Sequence, residues 1–108
     1  MIPTGERVVF DKFKQAKPLA GESLDTCFFS TKKGAWSVGF SNKNGRLTMR
    51  ADAAKWPFFQ VFTPPHRDSV AIEPMSCNVN AHQNGDGLVE LAPGAVWRGS
   101  FDLIFVKK

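Results

Sequence analysis

Two carboxylates in this sequence stand where a carboxylate could move protons. Asp25 lies in Leu24-Asp25-Thr26-Cys27-Phe28-Phe29, and Glu73 in Ser69-Val70-Ala71-Ile72-Glu73-Pro74-Met75-Ser76-Cys77-Asn78. Both stretches read as strands, in which successive side chains point to opposite faces. In the second, Val70 and Ile72 turn toward a core while Ala71 and Glu73 turn the other way. Pro74 cannot donate to a ladder and so marks a strand end or a sheet edge. In the first, Asp25 shares its face with Cys27 and Phe29. An acid beside neighbours that limit hydration has its charged form disfavoured, which moves it toward the range of a general base at neutral pH. Paired carboxylates are also what sugar chemistry commonly places across a ring. The plainer reading of each is an acid meeting solvent at a strand end.

The remaining polar residues support less chemistry. His66 follows Pro64-Pro65 beside Arg67 and Asp68, and His82 sits next to Gln83 in an Asn-rich loop; both read as exposed loop residues. Cys27 and Cys77 lack the paired spacing of a zinc site and have no histidine or acid placed to activate a nucleophile, so reduced, buried thiols are expected. No phosphate loop or dinucleotide fingerprint is present. Trp56, Phe58 and Phe59 would suit a sugar-stacking platform, but an aromatic strand cluster reads first as core.

The elements that must position the two acids are short strands. Val8 and Phe10 share a face over Arg7–Phe10. Trp36, Val38 and Phe40 alternate over Ala35–Ser41, as do Leu47 and Met49 over Arg46–Ala51, and Asn42-Lys43-Asn44-Gly45 joins them as a hairpin in which the Asn-Gly pair favours left-handed dihedrals. Phe58–Thr63 is a strand ended by Pro64-Pro65, and Leu88–Leu91 is a short one ended by Pro93-Gly94. Val96–Val106 becomes apolar on both faces toward its end, the pattern of a central strand. Roughly eight strands separated by turn signals argue an all-β sandwich, or part of one.

Composition agrees. A chain of 108 residues, 43% hydrophobic and 22% charged, suits one domain with a modest core. The net charge of +4 is scattered among acids rather than gathered in a block, so it points weakly at best to acidic partners. No apolar run approaches the ~20 residues of a membrane span. Glu6 and Arg7 stand where a signal peptide needs its apolar centre, so a cytosolic protein is expected.

The ordered motifs resemble those of bacterial aldose 1-epimerases, the galactose mutarotases. The resemblance rests on Val70 to Asn78, followed by Asn80-Ala81, Asn84-Gly85, Gly87-Leu88 and Leu91-Ala92-Pro93-Gly94. Upstream it includes Ile2-Pro3-Thr4-Gly5, Ser23 to Phe28, and Gln60-Val61-Phe62-Thr63. It implies a β-sandwich of the galactose mutarotase-like type, of which this chain corresponds to the C-terminal part, acting on free hexoses such as galactose or glucose with no cofactor and no metal. It also implies roles: Glu73 as the base that takes the proton from the anomeric hydroxyl, and Asp25 as a ligand of sugar hydroxyls. The family's histidines lie in a portion with no counterpart here, and His66 and His82 match none of its motifs. The expectation is therefore an isolated chain with little or no activity, which self-associates or is completed by an N-terminal portion. A non-catalytic carbohydrate-binding sandwich is the alternative. Nucleic acid and membrane partners are not expected, since the alternation puts most aromatics with Val, Leu and Ile rather than on a basic face.

Overall fold

The alternating stretches fold into six strands in two antiparallel sheets, seen in a computed structural model that describes residues 2–108. The strands are β1 (Asp25–Phe29), β2 (Ala35–Asn42), β3 (Gly45–Asp52), β4 (Phe58–Phe62), β5 (Ala71–Met75) and β6 (Phe101–Lys107); a single helical turn, α1 (Ala81–Asn84), follows β5. One sheet has the order β1-β4-β5 and the other β2-β3-β6. The architecture is mostly β and consistent with part of a mutarotase-like sandwich, as expected. No helix among the described residues is long and apolar enough to cross a membrane.

The sheets meet through residues that the alternation sends inward. Trp36, Met49 and Ala51 are buried, with Val38, Trp56, Phe59 and Ile72 packed against them. The Trp36 ring lies 4.7 Å from Phe59, which stacks in turn on Phe28 at 5.2 Å. Burying an indole requires a partner for its N–H, and Trp36 Nε1 donates to the Trp56 carbonyl at 2.7 Å. Phe58 and Phe59 therefore serve the core, Phe58 being buried on the other side of its strand beneath Gly87.

Four local expectations are corrected. Arg7–Phe10 forms no strand; Phe10 is held by ring contacts instead, edge-on to Phe28 at 5.0 Å and tilted against Phe13 at 5.7 Å. Leu88–Leu91 forms none either, and Val89 and Leu91 remain exposed. The β2–β3 hairpin is present, with Asn42 opposite Gly45, but neither Asn44 nor Gly45 is left-handed. Asn42 Oδ1 accepts the Asn44 N–H at 2.8 Å, so an Asx-turn closes the loop. Gly45 is required by close approach: a Cβ there would stand 2.5 Å from the Val106 carbonyl oxygen and 2.7 Å from the Phe105 ring.

The fourth concerns β6, which begins only at Phe101 and lies at a sheet edge rather than in the centre. Ahead of it, Trp97 stands edge-on to Trp56 at 5.4 Å, and Trp56 Nε1 donates to the Ser100 carbonyl at 2.9 Å. Indole contacts thus occupy the segment that would otherwise extend the ladder. All seven residues of β6 are exposed.

Gly45→Ala should lower stability by about 1–3 kcal/mol, because the added methyl meets a backbone carbonyl that cannot swing away. Urea unfolding followed by tryptophan fluorescence checks this, and an unchanged midpoint would mean that β6 does not press on Gly45.

Candidate functional site

Register decides which side chains share the outer face of the first sheet. Cys27 lies opposite Gln60, and Gln60 opposite Glu73, while Asp25, Phe62 and Ala71 form the neighbouring row. Asp25, Gln60 and Glu73 therefore project from one face, away from Phe59, Val61 and Ile72. Two strand spacings and a two-residue offset put the Cα atoms of Asp25 and Glu73 about 12 Å apart, a gap that the two side chains and Gln60 between them partly close. The sequence brought forward the two acids; the structure places them on a common surface.

Gln60 links the two rows. Its Nε2 donates to Asp25 Oδ1 at 2.8 Å. Its Oε1 is buried and accepts from no donor. A buried acceptor left unmatched costs about 1–3 kcal/mol, so this carbonyl is ready to receive an O–H when the side chain turns. Sequence reading passed over Gln60 as a site residue, although one polar residue between Phe58 and Phe62 on the same strand face was a usable signal.

Asp25 and Glu73 are both exposed, which corrects the expectation that neighbours would limit their hydration. Cys27 and Phe29 lie along β1 from Asp25 instead of over it. Pro74 sits within β5, the edge strand of its sheet, where its missing N–H leaves no ladder bond unmade. Val70 and Ile72 face the space between the sheets, as the alternation requires.

Beside these residues runs a polar chain that sequence reading did not connect. The Cys27 thiol donates to Asn78 Oδ1 at 3.2 Å, Asn78 Nδ2 donates to Asp86 Oδ2 at 2.8 Å, and Arg7 Nη2 meets the same oxygen at 2.5 Å. The Arg7 guanidinium also lies 4.6 Å over the Phe29 ring. Cys77 directly precedes Asn78, so the two free cysteines are neighbours through that side chain. Burial pushes the Cys27 thiol up, only partly opposed by the Val79 backbone N–H. The hydrogen bond from Asn78 holds the Asp86 carboxyl below its ordinary range, aided by Arg7 against some desolvation.

His66 and His82 are exposed, as expected, although His82 stands in the α1 turn rather than in a loop. His66 Nδ1 accepts the Asp68 backbone N–H at 3.1 Å, which ties it to its own loop. No cluster of metal-ligating side chains occurs among the described residues.

A model of the family described as Aldose 1-epimerase matches residues 1–103 of the chain. Comparison with curated proteins and with solved structures finds no match.

Because the folded pKa of Asp86 is depressed, its contribution to stability is complete above the unfolded value of about 3.9 and is lost as pH falls through the folded value. Asp86→Asn should therefore be less stable than the parent chain at pH 7, with the gap closing below about pH 4. Urea midpoints at pH 7 and pH 3 check this, and a gap that does not change with pH would contradict it.

Proposed function

The chain belongs to the aldose 1-epimerase family, and from that premise we propose that the Asp25–Gln60–Glu73 face binds a free hexose such as galactose or glucose and supplies the base side of anomer interconversion. The observation that carries this reading is the shared face itself, with Gln60 bonded to Asp25 and in register with Glu73. Glu73 would accept the proton of the anomeric hydroxyl as the ring C–O bond breaks. Asp25 and Gln60 would hold sugar hydroxyls, Asp25 as an acceptor and Gln60 through both ends of its amide. The ring opens to the aldehyde, the anomeric carbon turns, and reclosure returns the proton. Protons move and one C–O bond breaks and re-forms, so the reaction calls for no cofactor.

Ring opening also needs an acid for the ring oxygen, on the opposite side of the hemiacetal from the base. His66 lies in a loop and His82 in α1, both outside the strands that build this face. That observation favours a second reading, in which the face binds sugar without turning it over.

Polarimetry on fresh α-glucose at low buffer concentration should show little or no rate above the spontaneous one. Saturable hexose binding, followed by titration, should weaken at least about tenfold in Asp25→Ala and in Glu73→Gln, because each removes a hydrogen bond to a charged group. A robust rate abolished by Glu73→Gln would show a complete catalytic site and overturn the expected inactivity. Absence of saturable hexose binding would overturn the proposal.

A further inference from the structure

The sheets end in four edge strands, β1 and β5 in one and β2 and β6 in the other, and β5 and β6 differ in how they meet solvent. At β5, Pro74 interrupts the edge with a residue that has no N–H to offer. At β6 no proline or bulge intervenes, and Leu103, Phe105 and Val106 are 58%, 62% and 60% exposed. Between the edges lies a mainly apolar groove of about 400 Å³, lined by Phe40, Met49, Val70, Ile72 and Leu103 among others.

The ladder with β3 fixes which backbone groups of β6 are free. Lys108 N–H donates to the Asn44 carbonyl at 3.1 Å, and the pairing continues with Val106 opposite Arg46, Ile104 opposite Thr48 and Asp102 opposite Arg50. Hydrogen-bonded pairs alternate along an antiparallel ladder. The N–H and C=O groups of Phe101, Leu103, Phe105 and Lys107 therefore point outward, and an additional antiparallel strand can take them up.

We propose that the β6 edge is a self-association surface, on which β6 of a second copy of this chain pairs antiparallel about a two-fold axis through Phe105. An axis perpendicular to the sheet keeps faces matched, so residues opposite one another must lie on the same face of β6. Centring on Phe105 satisfies this and uses only outward-pointing backbone groups. It sets Phe105 against its own copy and Ile104 against Val106. It also sets Asp102 against Lys108, twice by symmetry. Opposite charges directly across a strand pair are favourable, and Asp102 and Lys108 are the outer charged residues of this segment on that face. That charge match selects a second copy of this chain as the occupant of the edge. The inference is independent of the sugar-binding reading, because β6 belongs to the other sheet.

The full chain should show a concentration-dependent monomer–dimer equilibrium by sedimentation velocity. Phe105→Lys, which brings two ammonium groups together at the axis, should leave it monomeric. Lys108→Glu should weaken the dimer about tenfold by replacing two attractive cross-strand pairs with repulsive ones, and adding Asp102→Lys should restore it. Because these positions are exposed, near-ultraviolet circular dichroism should remain that of the parent chain. A monomer at all concentrations, an assembly indifferent to Phe105→Lys, a charge exchange that fails to restore the dimer, or a different polypeptide held on the edge would each overturn the proposal.

Discussion

Trp36 against Phe59 is the contact on which the rest of the arrangement depends. Once Phe59 is committed to the space between the sheets, the period of two along β4 commits Gln60 to the outer face. Register then carries Cys27 and Glu73 with it. A slip of one residue between β4 and β5 would send Val70 and Ile72 out to solvent and turn Glu73 inward toward the buried Met49, where a carboxylate has no partner. The core therefore stabilises the fold and also determines that two acids distant in sequence share one surface.

The outer face is polar for a second reason, the connected bonds from Arg7 through Asp86 and Asn78 to Cys27. They tie the N-terminal segment and the β5–β6 connection to the first sheet without a ladder. An arginine that meets a carboxylate and covers a ring uses both its charge and its flat face, which a lysine would not reproduce. The burial that raises the Cys27 thiol makes it a packing group and a weak donor rather than a nucleophile.

What was legible in the sequence was local. Alternation alone separated Val70 and Ile72 from Glu73, put Asp25 with Cys27, and placed β2 and β3 to within a residue or so of their ends. What was not legible depended on pairing. Gln60 acquires meaning only when β1 and β5 flank it, and Arg7 and Asp86 are 79 positions apart. β6 carried the composition of a central strand yet has a single neighbour, because two apolar faces describe side chains and do not count ladders. Gly45 was assigned to a turn, whereas its reason for being glycine lies across the sheet at Val106.

The central claim is that Asp25, Gln60 and Glu73 form one hexose-binding surface. It is tested most directly by titrating the isotope-labelled chain with galactose while following the side-chain amide of Gln60 by NMR. The account predicts that these resonances shift saturably, together with backbone amides around Asp25 in β1 and Glu73 in β5, as sugar hydroxyls replace the bond between Gln60 and Asp25. A Gln60 amide that stays fixed at saturating sugar, with shifts confined to other parts of the chain, would contradict it.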